Sequence, residues 1–288
     1  MTIVLNEPGV DGLTEVVDAL RAWQDDRTPL QLHPGDLGWA WALGAERLAA
    51  AVRTWGVDGR IVAVGYLDDP DVLRLTTAPD LRQDGDLARR LLADLDEPGR
   101  GVLPPGKVGL EIPDGAVLRD VLLEAGWVPD EPWTPLRHDL AEPVKDPGLR
   151  IEVAGPQTAG VRTAVHRSAF GSPAFTEEVW HVLAAGPVYA DARCLIGYDD
   201  RDNAVAAATV WSAGPGKPGL LEPMGVHADH RGRGYGTAMS VAAAAALREL
   251  GASSALVSTP TSNAAAVAAY RAAGYEPSSE RLDVGRPA

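Results

Sequence analysis

The chain has one cysteine, Cys194, in 288 residues, so no internal disulfide can form. That residue lies in the apolar run Arg193-Cys194-Leu195-Ile196, which suits a buried thiol better than a nucleophile. No stretch of about 18 apolar residues is present, so no transmembrane helix is expected. Residues 1–7 lack a basic stretch followed by an apolar core, and no secretory signal is read there. No lysine follows Lys217, which removes the Gly-Lys-Ser/Thr ending of a nucleotide P-loop. Basic charge is also short, with a formal net charge of −14. Residues 1–150 hold 15 Lys and Arg against 27 Asp and Glu, whereas 151–288 hold 11 against 13. That balance argues against a nucleic-acid partner, which would call for a basic face. The acidic first half fits a solvated surface, or a cationic substrate approaching from that side. A cytoplasmic protein with no membrane and no nucleic-acid partner is expected, and its oligomeric state stays open.

What is present is enough for two domains, on a prior of roughly 100–200 residues for each. A hydrophobic share of 45% lets each half bury a core. Val16, Val17, Leu20 and Trp23 recur at helical spacing within 14–23, and a second helix is read inside 37–54. Strands are expected at 60–67, 72–77 and 107–112, and helices at 86–95 and 115–125. Glu142-Pro143-Val144-Lys145-Asp146-Pro147-Gly148 reads as a linker. The second half repeats the plan. Strands are expected at 149–153, 190–198, 204–212 and 255–259, and helices at 158–169, 175–185, 235–250 and 263–273. Glu124-Ala125-Gly126-Trp127 mirrors Ala272-Ala273-Gly274-Tyr275 at an offset of 148 residues, which points to a duplicated α/β domain. The division expected is 1–145 and 149–288.

The two copies differ at one loop. The second reads Val226-His227-Ala228-Asp229-His230-Arg231-Gly232-Arg233-Gly234-Tyr235-Gly236-Thr237, between a strand and an alanine-rich helix. A glycine-rich turn into a helix aims unpaired amides along the positive end of the helix dipole, a place for a phosphate or pyrophosphate. The first copy has Leu81-Arg82-Gln83-Asp84-Gly85-Asp86, with one glycine and two carboxylates that would repel such a group. A dinucleotide fingerprint fails because its third glycine position is Thr237. A tight turn needing glycine only for its backbone angles is the plain alternative.

Arg231-x-x-Gly234-x-Gly236 has the Arg/Gln-x-x-Gly-x-Gly/Ala pattern, and the stretch 226–236 resembles the acyl-CoA motif of the GNAT N-acetyltransferase superfamily. Asn263, Tyr270 and Gly274-Tyr275 resemble that family's downstream signature at a similar spacing. The resemblance covers 149–288, and the first half is similar to the same fold with its motifs eroded. It implies two tandem GNAT-like α/β domains, each a mixed, mostly antiparallel sheet flanked by helices. It also implies acetyl-CoA as acyl donor and a small-molecule amine as acceptor. Carried over, the backbone of Arg231, Gly232, Arg233, Gly234, Tyr235, Gly236 and Thr237 would hold the pyrophosphate. The strand backbone at Val226 and His227 would pair with the pantetheine arm, and Asn263 would bond the cofactor or cap the last helix. Tyr270 is the implied acid for the departing thiolate, or else a core aromatic.

Glu222, four residues before Val226, is a candidate base for the amine, or else an exposed strand carboxylate. His227 and His230 are read as loop residues and not as metal ligands. Trp180 and Trp211 line an acceptor pocket or pack the core. The expected function is transfer of acetyl to an amine by direct attack in a ternary complex. The competing class is a non-catalytic acyl-CoA-binding regulator.

Overall fold

The computed structural model describes residues 2–287. The first copy runs β1 (Val4–Asn6), α1 (Leu13–Trp23), α2 (Pro34–Ala40), α3 (Ala45–Ala51), β2 (Val52–Val57), β3 (Arg60–Asp69), β4 (Val72–Thr77), α4 (Gly85–Asp96), β5 (Val108–Glu111), α5 (Val117–Glu124) and β6 (Val128–Asp139). The second runs β7 (Arg150–Val153), α6 (Ala159–Phe170), α7 (Glu177–Ala184), β8 (Ala192–Tyr198), β9 (Ala204–Trp211), β10 (Gly219–Val226), α8 (Tyr235–Glu249), β11 (Ser254–Pro260), α9 (Ala264–Ala272), β12 (Glu276–Pro277) and β13 (Arg281–Arg286). The 148-residue offset carries β5 onto β11 and α5 onto α9 to within a residue or two.

Local chemistry accounts for most boundaries. In α1 the residues Val16, Val17, Leu20 and Trp23 form the buried stripe. Asp58 and Gly59 both have positive φ (50° and 82°), the turn that matches a twisted antiparallel hairpin, and they join β2 to β3. The second helix read inside 37–54 is α3, and the same stretch also holds most of α2 and the start of β2. Gly44 parts α2 from α3 at φ +90°, and Val52, Thr54, Trp55 and Val57 are buried in β2, where branched and aromatic side chains pack well.

The chain forms two compact units. Unit 1 takes the chain up to Leu32, Ala45–Trp133 and the residues from Glu280 onward, and unit 2 takes His33–Gly44 and Thr134–Ser279. These units depart from the linear division at 145 and 149 in three segments. In unit 1 the sheet order is β1-β2-β3-β4-β5-β13-β6, and in unit 2 it is β6-β11-β10-β9-β8-β7 with β12 on β6. Antiparallel pairs dominate, while β4 with β5 and β10 with β11 pair in parallel.

The 148-residue offset places 281–286 on 133–138, so the two segments are the same strand of the two copies. Each is built into the unit formed by the other copy. β13 pairs with β5 (Val284↔Leu110) in unit 1, while Leu136 and Arg137 of β6 pair with β12 in unit 2. Val284 is buried in the unit 1 core with Leu110 and Trp55. Charge adds to the fit: Arg281 Nη2 lies 3.1 Å from Glu111 Oε2, and Arg281 Nε lies 2.9 Å from Asp283 Oδ1.

The other transferred segment, His33–Gly44, carries α2 into unit 2. A Cβ on Gly35 or Gly38 would stand 2.5 Å from Trp211, so only glycine lets this short helix lie on the indole. His33 caps it through Nδ1, and its Nε2 lies 3.2 Å from the Pro218 carbonyl.

Two predictions follow from the placement of β13. A chain ending at Ser279 lacks the strand between β5 and β6, so unit 1 is expected to become protease-sensitive. Limited proteolysis giving the full-length pattern would contradict this. Burial pushes the Asp283 pKa up to about 7, Arg281 pulls it down and Glu111 adds to the rise. The folded value lies above the ordinary 3.8. The contribution to stability is therefore full below about pH 4 and lost as pH rises through 7, by at most about 1.4 kcal/mol per pH unit. Asp283→Asn is expected to flatten that part of the pH–stability curve in urea titrations, and an unaltered slope would exclude Asp283 as its source.

Candidate functional site

β10 pairs in parallel with β11 at Gly219↔Ala255 and Leu220↔Leu256. Past Leu220 the register with β11 ends, while β10 stays on β9 as far as Val226↔Ala206. A register shift lies between Leu221 and Met224, where Pro223 has no N–H to give to either neighbour. The strand is buried over its first three residues and half-buried over the rest.

The His227 amide donates to the Val205 carbonyl at 2.9 Å, on the β9 side. In an antiparallel ladder alternate residues turn their N–H and C=O to opposite edges. Val226 and Met224 therefore face the edge that β11 has left. Of the two residues expected to offer backbone to an extended arm, Val226 is at the open edge and the His227 amide is already engaged. Met224 was not foreseen. Its signal is the same period of two, counted back from Val226.

The strand leads into the glycine loop. Gly232 and Gly234 have φ of 74° and 83°, and a Cβ at either would meet nothing within 4 Å, so backbone conformation is what requires glycine. Gly234 is the N-cap of α8, and no side chain caps that helix start. Gly236 is helical, and a Cβ there would lie 3.7 Å from Ala269 Cβ and Val226 Cγ2, an ordinary contact. The fold's own packing does not demand glycine at 236, and the bare position leaves the approach to the first amides open. Tyr235 opens the helix with its ring edge-on to His230 at 6.3 Å.

The loop is pinned to the end of α6. Arg231 Nη2 donates to the Ala169 carbonyl at 2.6 Å, and the Ala228 amide donates to Ser168 Oγ at 3.0 Å. Arg233 Nη2 reaches the Asp229 carbonyl at 3.3 Å, and Thr237 Oγ1 donates to the Ala269 carbonyl of α9 at 3.3 Å. Ser168 and Ala169 carry no sequence signal, because their role exists only once α6 meets the loop.

Tyr270 lies on α9, 6% exposed, in the cluster that includes Met224, Val226 and Tyr235. Burial pushes its phenol pKa up, and the charge of Glu222 pushes it further. The phenol is therefore a proton donor at neutral pH. Glu222 sits at the shifted register of β10, and its carbonyl accepts from Trp211 Nε1 at 2.8 Å. The fold thus brings Glu222 and Tyr270 within electrostatic reach of each other. Asn263 caps α9, its side chain accepting from the Ala266 amide at 3.2 Å. Trp180 and Trp211 are both buried.

The equivalent place in unit 1 is filled by the chain itself. β4 pairs with β5 over Val72–Arg74, and beyond it the loop crosses over. The Val117 amide donates to the Arg82 carbonyl at 3.2 Å, and Gln83 Nε2 bonds the Gly115 carbonyl. The Asp84 carboxylate accepts from the Asp86 and Leu87 amides, both at 2.9 Å, so the anion at this helix start is built in. A shallow crevice lined by residues such as Leu75, Leu87 and Ile112 lies beside this loop.

Residues 164–275 match the profile of the acetyltransferase (GNAT) family. No curated protein matches the sequence. Among solved structures, the chain is similar to a tandem GNAT protein from the clavulanic acid biosynthesis pathway (16% identity, 99% of this chain and 98% of that one, TM-score 0.64). It is also similar to a GNAT-family acetyltransferase from Colwellia psychrerythraea (17%, 99% and 99%, 0.63). A GCN5-related N-acetyltransferase from Sphaerobacter thermophilus gives 18%, 99% and 95%, with a TM-score of 0.60. At these identities the likeness is one of fold, and the fold is the tandem GNAT arrangement.

Inorganic pyrophosphate is expected to bind the open start of α8. Gly236→Asp, which the backbone accepts, should weaken that binding about tenfold or more by isothermal titration, through charge repulsion at the helix start. Equal binding would place the anion elsewhere.

Proposed function

We propose that this chain, which carries a GNAT-family domain at 164–275, is an acetyl-CoA-dependent N-acetyltransferase acting on a small-molecule amine in unit 2. The observation that carries the reading is the open edge of β10 at Met224 and Val226, leading directly to an uncapped helix start with a protonated Tyr270 beside it. An extended chain with amide groups can add to that edge as a strand would, and a diphosphate then meets the α8 amides. Arg231 and Arg233 add positive charge at the loop.

Direct transfer needs a neutral amine close to the thioester carbon and a proton for the departing sulfur. In this reading the amine forms its bond to the acetyl carbon as the carbon–sulfur bond breaks. Tyr270 gives its proton to the thiolate. Glu222 takes the proton lost by the amine, directly or through a water. The charge of Glu222 reaches the Tyr270 phenol, which supports placing both groups at the reacting centre. Unit 1, with its own carboxylate on α4 and its loop bonded across the gap, is read as a partner that does not take the cofactor.

Isothermal titration should show acetyl-CoA binding to the wild type and none to Gly234→Glu. Retained affinity in that variant would remove the loop from the site. Tyr270→Phe is expected to bind acetyl-CoA normally while lowering turnover about 10²-fold, as loss of a positioned acid does. Turnover would be followed as thiol release over a panel of amines, and unchanged turnover would exclude Tyr270 as the acid.

A further inference from the structure

Beneath α6, unit 2 contains a buried cation with no anion against it among the described residues. Arg162 is 1% exposed. Its Nη2 donates to Thr209 Oγ1 at 3.1 Å, and Cys194 Sγ lies 3.2 Å from the same hydroxyl. Nε and Nη1 have no hydrogen-bond partner, and no carboxylate is among the groups that shift it. The acidic side chains its charge reaches are the Cys194 thiol and the Tyr189 phenol. Trp180 Nε1, also buried, has no partner, and Tyr189 stands edge-on to Trp180 at 6.1 Å. A guanidinium does not lose its proton in a protein, so burial without an anion is costly. Nε and Nη1 lie on opposite sides of the guanidinium, so each offers its own N–H to an acceptor.

The location ties this cation to the proposed reaction. Thr209 falls on β9 between Ala208, opposite Met224, and Val210, opposite Leu221. It therefore lies across from the shifted register that carries Glu222. Trp211, two residues on and on the same face of β9, bonds the Glu222 carbonyl, and Tyr189 stands edge-on to Trp211 at 6.3 Å. The guanidinium is covered by the Phe175 ring, 5.6 Å away, from the connection between α6 and α7.

We propose that Arg162 anchors a carboxylate carried by the acceptor, so that the substrate is an amino acid or another short amine with an acid group. This inference rests on the N-acetyltransferase reading. In it the carboxylate accepts from one of the two unpartnered positions, Nε or Nη1, the amine is left toward Glu222, and Phe175 gives way to admit the acid group.

The test uses the full-length protein with acetyl-CoA bound, followed by its unfolding midpoint. Glycine, β-alanine, 4-aminobutyrate, their primary amides and sodium formate are titrated separately. At least one amino acid is expected to raise the midpoint saturably while its amide does not. Arg162→Met is expected to weaken that effect on the order of 30- to 100-fold, as loss of a buried charged partner does. If Arg162→Met does not fold, Arg162→Lys, which keeps the charge and loses the planar set of donors, is expected to give a smaller but clear loss. Amides equal to acids, no saturable effect of any acid, or an effect unchanged in the variants would each overturn the proposal. So would stabilisation by formate alone, which marks a small-anion site and no substrate anchor. Acetyl-CoA affinity, titrated in parallel, is expected to be unchanged in the variants. Its absence from the wild type would count against the acetyltransferase reading and not against Arg162.

Discussion

A strand edge left open inside a folded sheet is costly, because its amides and carbonyls forgo the ladder that their neighbours complete. Unit 2 contains such an edge by construction. β10 meets β11 for two residues, shifts register around Pro223 and continues on β9 alone. Every other feature of the candidate site is placed by this separation. Val226 and Met224 face the gap, the glycine loop closes its far end, α9 brings Tyr270 against it, and Glu222 stands where the strands part.

The two copies answer the same geometric problem in different ways. In unit 1 the loop reaches across, Gln83 and Arg82 bond the start of α5, and Asp84 satisfies the amides of α4. In unit 2 two glycines adopt left-handed backbone, and the first amides of α8 receive no side chain. One copy caps its helix start with its own carboxylate, whereas in the other no side chain caps it. The difference comes down to a carboxylate at Asp84 against glycines at 232 and 234.

The exchange of strands makes the halves of the sequence unequal to the units of the fold. β13 ends the chain yet completes unit 1, and His33–Gly44 begins near the start yet lies on Trp211 in unit 2. Trp211 in turn holds the Glu222 carbonyl, so a helix from the first copy backs the strand that carries the proposed base. Arg281, Glu111 and Asp283 show how tightly the exchanged strand is specified: buried Arg281 and Asp283 and half-buried Glu111 belong to one sheet only when β13 lies beside β5.

Local periodicity made most helices and strands legible, because a buried stripe in α1 or α4 needs nothing beyond its own spacing. The glycine loop was legible for the same reason, since left-handed φ and an uncapped helix start are local demands. So was the 148-residue repeat, down to the asymmetry between Asp84 and Gly232. Other features were decided only by tertiary structure. The His227 amide is engaged because β9 lies where it does. The break at Gly44 serves a helix that leaves its own copy. Arg162 reads as an ordinary polar residue in α6 until the fold buries it without an anion. A sequence declares what a residue can do with its near neighbours, whereas the cost of a buried charge or an unpaired edge depends on what distant segments bring to it.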